Sequence, residues 1–422
     1  MTRQTATGGP DGELKRALSL PLIILYGVGT TVGAGIYVLV GEVAAIAGAS
    51  APFSFLVAAV LAGLSAFSFA ELCGRYPKSA GEALYVQIAF RRTQLATAVG
   101  LLVITAGAIS AATVIRGSVG YLNEFFAVPT VPTLIGLTVL LGLIAAWGIV
   151  EATLVAAILT IVELGGLGLV IWVGGPTLVD LPAKLPAMIP DWGAAPAVAV
   201  VAGAVVAFFA FIGFEDMVNV AEEVRGAPRA MPIAIITTLF VTTVLYIVVT
   251  VIAVVALPLS ELAGSDAPLA RVLERGFAGA PLIISAISIV AIANGALIQM
   301  VMASRVLYGL GRSGQLPAFL ATVNHRTRTP LYATVLIVVV IAVLATTIPL
   351  GSLAKAASIA ILVVFATVNL ALVVIKRRAD HREDTTFTVP LAVPLLGFLA
   401  SAAVVTFEIV RWITAFAASA PI

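Results

Sequence analysis

Charge is scarce in this chain of 422 residues. Only 10% of the residues are charged and 61% are apolar, against roughly 25% and 45–50% in soluble domains. With 23 basic and 21 acidic side chains, a water-soluble fold of this length could not cover its surface. A net charge of +2 supplies no basic field for nucleic acid. The single Cys73 excludes an internal disulfide. The two histidines, His325 and His381, sit in separate charged stretches and make no metal cluster, so neither a metal nor another cofactor is expected. No nucleophile stands beside a base, which argues against an enzyme. The opening residues are polar and include Asp11 and Glu13. They resemble no secretory leader, and the first apolar run is expected to stay as an anchor.

What the chain has in abundance is long apolar runs. Its mean hydropathy is +1.14. Runs bounded by charges, proline or glycine fall at 19–40, 49–73, 95–121, 131–149, 152–174, 196–221, 232–257, 281–309, 331–349, 353–375 and 390–417. They are continuous and lack the alternation of barrel strands, so spanning helices are expected. The fold class is therefore an all-α polytopic membrane protein with about eleven spans. Of the 23 lysines and arginines, 17 fall in loops that share one side when the amino terminus is placed in the cytoplasm. Basic residues favour that side, which puts the carboxyl terminus outside and the chain in the cell membrane.

Two spans are unlike the rest. The first contains Gly27-Val28-Gly29-Thr30-Thr31-Val32-Gly33-Ala34-Gly35-Ile36-Tyr37. Gly33 and Gly35 let a helix unwind, freeing N–H groups at the positive end of its second half, where a carboxylate fits. Close helix packing through small residues explains the same glycines, so this span alone leaves both readings open. The sixth span reads Phe208-Phe209-Ala210-Phe211-Ile212-Gly213-Phe214-Glu215-Asp216. A break at Gly213 would leave the carbonyls of Phe209, Ala210 and Ile212 without intrahelical donors, and such carbonyls suit an ammonium group. Together the two breaks describe a zwitterion, and an α-amino acid is the simplest one. Glycine-interrupted spans five apart also signal an inverted-repeat transporter with its site at mid-membrane. Mostly apolar walls, with Phe208 and Phe214 among them, favour neutral substrates, while Glu215 keeps cationic ones open.

These residues carry a family resemblance over nearly the whole chain. Gly33-Ala34-Gly35-Ile36-Tyr37, Ala70-Glu71-Leu72 with Arg75-Tyr76-Pro77, the Phe208–Phe214 stretch, Ala221-Glu222-Glu223-Val224 with Pro228-Arg229 and Pro232, and Ala303-Ser304-Arg305-Val306-Leu307-Tyr308 occur in order. In this the chain resembles the amino acid–polyamine–organocation superfamily, especially bacterial permeases related to the cationic amino acid transporters. The resemblance implies a five-plus-five inverted-repeat, leucine-transporter-like fold and alternating access. Residues 1–18 would be a cytoplasmic segment, 19–174 the first repeat and 175–195 an extracellular loop. The second repeat would be 196–376, followed by a cytoplasmic loop at 377–389 and an added span within 390–422. It also implies that the substrate carboxylate meets backbone N–H groups near Thr31, Ala34 and Gly35, and that the amine meets the Phe209, Ala210 and Ile212 carbonyls.

Coupling departs from the pattern. Proton-coupled members carry a lysine on span 5, whereas the corresponding stretch here, Thr160–Gly166, carries Glu163. Two roles stand for it: a carrier of the coupling proton, or a structural group that keeps its proton or its hydrogen bond. Glu215 is the alternative coupling residue, and Asp216 is read as structural. Proton symport and obligatory exchange both remain as mechanisms. A receptor that binds an amino acid without moving it is the reading from another class, disfavoured because no soluble domain is appended. The 74–93 segment is expected as an amphipathic helix on the cytoplasmic face, and 222–232 as a charged loop below the broken span 6. The 258–280 segment is expected as a helical cover on the outside, and Glu408 with Arg411 as a local ion pair.

Overall fold

The computed structural model describes residues 18–78, 81–147, 152–191, 193–312, 314–324, 329–378 and 387–419. The polar amino-terminal stretch, His325, His381, Arg326, Arg328 and Arg382 lie outside them. The described chain is helical: α1 (Leu20–Ala47), α2 (Ala51–Arg75), α3 (Gly81–Phe90), α4 (Thr93–Asn123), α5 (Thr130–Trp147), α6 (Ala152–Gly174), α7 (Leu181–Met188) and α8 (Ala194–Phe208). After 3-10 turns at Phe209–Phe211 and Glu215–Glu223 come α9 (Ala227–Ala256), α10 (Leu259–Ala263), α11 (Pro268–Leu273), α12 (Ala280–Arg312), α13 (Leu331–Thr347), α14 (Leu350–Arg377) and α15 (Ala392–Ser419). Among the described residues the only β-pairing is a single bridge between Leu18 and Val224.

Among the described residues, eight stretches are long and apolar enough to cross a membrane, the first of them, Leu20–Arg75, holding both α1 and α2. Two shorter apolar helices lie at Thr130–Ala146 and Leu331–Thr347. This is a multi-pass membrane protein. Proline opens α1, α2, α9 and α11 in the first turn, where its missing N–H costs nothing. Inside the spans, hydroxyls that would be orphaned in lipid bond back to the preceding turn, as Thr113 does to Ile109 O and Thr138 to Leu134 O. The apolar faces of α5, α13 and α15 remain exposed, with Leu143, Val335 and Leu399 pointing outward, as lipid-facing helices require.

The interior packs α1 against α6, α8 and α9, α2 against α8 and α9, and α4 against α12 and α14. At the end carrying most of the loop cations, α2, α14 and the segment before α15 meet at one carboxylate. Glu71, fully buried, accepts from Arg75 Nε at 2.9 Å, Lys376 Nζ at 2.7 Å and the Val389 amide at 2.7 Å. A buried carboxylate is tolerable because both oxygens find donors, two of them cationic side chains. Nearby, Leu18 N donates to Glu223 O and Arg225 N to Leu18 O, each at 2.9 Å. The residue entering the first broken span is thus zipped to the loop leaving the sixth, so 222–232 is more than a charged loop.

The 74–93 segment contains α3, but this helix does not lie flat on a surface. Glu82, Tyr85, Val86 and Ala89 are buried between α4 and α14. At the other end, α10 packs on α1 and α11 on α12 and α6, with Leu269, Val272 and Leu273 buried. The 175–195 segment is not an open loop: it holds a 3-10 turn at Gly175–Asp180 and then α7. On α15, Arg411 pairs with Glu408 at 2.8 Å, and Lys355 of α14 approaches the same acid at 3.9 Å.

Candidate substrate site

Both unusual spans are broken where the glycines predict. In α1 the helix is interrupted at Gly33, whose φ and ψ are 5° and −150°. In the sixth run, α8 ends at Phe208 and the backbone turns at Gly213, with φ of 132°. That φ lies where L side chains rarely go. The breaks touch. A Cβ on Gly213 would lie 2.4 Å from Thr30 O, and one on Gly35 would lie 2.7 Å from the Cα of Ala210. Only glycine lets these two backbones come so close.

Two hydroxyls stitch the breaks together. Tyr246 of α9, fully buried, lies 2.6 Å from Thr31 O and 2.8 Å from Ala210 O. Thr30 Oγ1 lies 3.0 Å from Gly27 O and 3.1 Å from Gly213 O. Each hydroxyl has one hydrogen to share between two carbonyls; Gly27 O also accepts from Thr31 Oγ1 at 2.8 Å and Gly213 O from Asp216 N at 3.2 Å.

Beside the contact is a cavity of about 30 Å³, room for roughly two waters. Thr30, Thr31, Gly33 and Gly35 of α1 and Phe209, Ile212 and Asp216 of the second break line one side. The opposite wall comes from Ser110 and Val114 on α4 and from Gly295, Ile298 and Gln299 on α12. Nothing lies within 4 Å of where a Cβ on Gly33 or Gly295 would stand. Among the described residues there is no cluster of His, Cys, Asp and Glu able to hold a metal.

The pattern that defines the amino acid permease family matches residues 18–418. The chain belongs to that family. Its relatives include a vacuolar cationic amino acid transporter of Arabidopsis thaliana, 30% identical over an aligned length of 392 that covers 87% of this chain and 64% of the plant protein. They also include the branched-chain amino acid permease BcaP of Bacillus subtilis, 29% identical over 88% of this chain and 83% of that one. The methylthioribose transporter of the same bacterium is 27% identical over 91% and 87%. The permease spans a little under two thirds of the length of the plant transporters it matches.

Of the residues singled out from the permease's sequence, Thr31, Gly33, Gly35, Phe209 and Ile212 meet at this cavity. Ala210 supplies the backbone against which Gly35 packs, and its carbonyl is engaged by Tyr246. The side chain of Ala34 lies outside what is described. Phe208 and Phe214 are not pocket walls: both are buried in an aromatic cluster with Phe365, to which Phe69 also belongs. Phe208 ends α8 and Phe214 follows the turn at Gly213, yet both rings pack against Phe365.

The same turn exchanges the expected parts of the two acids. The Glu215 carboxylate folds back to accept from the Gly213 amide at 2.8 Å, while Asp216 lines the cavity and accepts from Gln299 Nε2 at 3.1 Å. Glu163 is fully buried on α6, away from the cavity lining. Its Oε1 lies 3.4 Å from Asn294 Nδ2, and its Oε2 is buried with no hydrogen-bond partner. Its backbone carbonyl accepts from Tyr37 at 2.6 Å. Sequence reasoning missed Tyr246, Thr30, Ser110 and Gly295. The one available hint was a lone hydroxyl in the middle of an apolar run, as at Tyr246.

Proposed function

We propose that the permease is a secondary transporter that carries an α-amino acid, neutral or cationic, across a cell membrane by alternating access. The observation that carries this is the cavity where both helix breaks meet. Backbone N–H groups after Gly33 face a carboxylate, and carbonyls before Gly213 face an amine. Spans 1–5 and 6–10 form the two inverted repeats, α15 is an addition, and the amino terminus lies in the cytoplasm. The relatives named for cationic and branched-chain amino acids support the same substrate class.

Purified protein heated with each of the twenty amino acids tests the binding step. A ligand held only by the folded form raises the midpoint of unfolding, so a subset should stabilise and the rest should not. Stabilisation by none of them would overturn the reading. Liposomes with and without internal amino acid then separate the mechanisms, because an obligatory exchanger needs the internal load and a symporter does not.

The coupling ion is a proton, and Glu163 carries it. An unpartnered buried carboxyl oxygen is costly as an anion and tolerable with a proton attached. Glu163→Gln is expected to abolish accumulation driven by a pH gradient while leaving exchange largely intact. Accumulation by the variant with unchanged pH dependence would remove Glu163 from the coupling step.

A further inference from the structure

Next to the substrate cavity is a second space of about 10 Å³, room for one water. Ser110, Ile212, Asp216 and Gln299 line both, so the two are neighbours along one route. Its remaining walls include Glu215 and Glu82, which puts three carboxyls around a one-water space. Glu82 comes from α3, outside the spans, yet is only 5% exposed.

Donors for these carboxyls are few. Glu215 has the Gly213 amide and its own backbone N–H, and Asp216 has the Gln299 side chain. For Glu82 the only donor among the described residues is its own backbone N–H. The ion pairs among the described residues lie elsewhere, at Glu71, Glu124, Glu274 and Glu408. Carboxylates crowded together out of water do not all ionise.

Several cations on the neighbouring helices are held elsewhere. On α4, Arg116 donates to Ala345 O; on α14, Lys376 is held by Glu71 and Lys355 lies by Glu408, and just past its end Arg378 donates to the Ile88 and Ala89 carbonyls at the far end of α3. The other titratable groups close to Glu82 are Tyr85 on its own helix and, beyond it, Cys73 of α2. The first turn of α3 docks closely on the second break: Gly81 has φ of +46°, and a Cβ there would lie 2.8 Å from Asn219 Oδ1.

We propose that Glu82, Glu215 and Asp216 form a proton-binding site at the cytoplasmic end of the substrate route, with the first turn of α3 as its movable wall. This rests on the transport reading above and adds a second proton site to Glu163. With the proton bound, α3 stays docked and the route is closed. When the proton passes to cytoplasmic water, the added negative charge among these carboxyls pushes α3 away and the substrate can leave. Burial pushes the Glu82 carboxyl up to about 7. A docked value above the ordinary one means that docking is favoured in acid and loses that advantage as pH rises through about 7.

The test uses the full-length protein in liposomes, with an amino acid that stabilises it against heat and with internal pH stepped across neutrality at fixed external pH. Wild-type release into the lumen is expected to rise about three- to tenfold across the transition, within what one linked proton allows per pH unit. Glu82→Gln should flatten that internal profile while amino acid binding persists, and Glu82→Asp should restore a slope with a shifted midpoint. A wild-type internal profile in Glu82→Gln would overturn the site. If that variant does not fold, an unshifted midpoint in Glu82→Asp overturns it instead. The absence of stabilisation by any amino acid would remove the transport reading and the site with it, an outcome distinct from binding that persists with an unaltered profile.

Discussion

Gly213→Ala is expected to lower the transport rate by about a hundredfold, the loss that roughly 3 kcal/mol produces. Two costs combine. The φ of 132° strains any residue with a Cβ by about 1–3 kcal/mol. The added methyl would also stand 2.4 Å from Thr30 O and 2.7 Å from Thr30 C. Those atoms are backbone and cannot swing aside, so spans 1 and 6 must separate where the substrate is held. Overpacking of this kind adds about 1–3 kcal/mol. Gly48→Ala is the matched control, since Gly48 also has positive φ, at 58°, but its Cβ would meet open space. Uptake into liposomes by the two variants should differ widely, and near-equal rates would refute the close approach of the breaks.

The second large effect is expected from Tyr246→Phe. The ring contacts survive, because Phe55 and Phe211 meet the ring edge-to-face at centroid distances of 6.1 and 5.0 Å, without using the hydroxyl. The hydroxyl alone is lost, and with it the shared donor to Thr31 O and Ala210 O. A buried carbonyl left without its donor costs about 1–3 kcal/mol, and here both lie at the junction of the breaks. Transport should fall by about ten- to a hundredfold, with only a modest drop in the unfolding midpoint. A melting curve and an uptake assay on the same preparation check this. Uptake at the wild-type rate would show that the bridge holds nothing the cycle depends on.

Much of the architecture is legible in composition and run length. A residue facing lipid must be apolar whatever its neighbours, so spans announce themselves one at a time. The breaks are legible for a related reason: Gly33 and Gly213 stand where the backbone leaves the helix, a local event written in local residues. Side-chain direction past a break is another matter. Helical periodicity tells which residues share a face only while the helix continues. After Gly213 it stops, so Phe214 faces the aromatic cluster with Phe69 and Phe365, and Asp216 rather than Glu215 faces the substrate cavity.

The other partners of the site were not legible. Gln299 stands out as a polar group on its span that could line the route or bond between helices, and it does both, but Ser110 and Tyr246 come from two further spans and each alone reads as a polar group tolerated in an apolar run. Glu82 reads as one charge on a surface helix, yet it lies beside Glu215 and Asp216. By itself the sequence determined that the chain lives in a membrane, where its helices run and where two of them open, because lipid and backbone geometry act on each segment separately. Only the tertiary structure decided which groups share a cavity. Adjacency between spans is set by the packing of whole helix faces, and no single span carries that information.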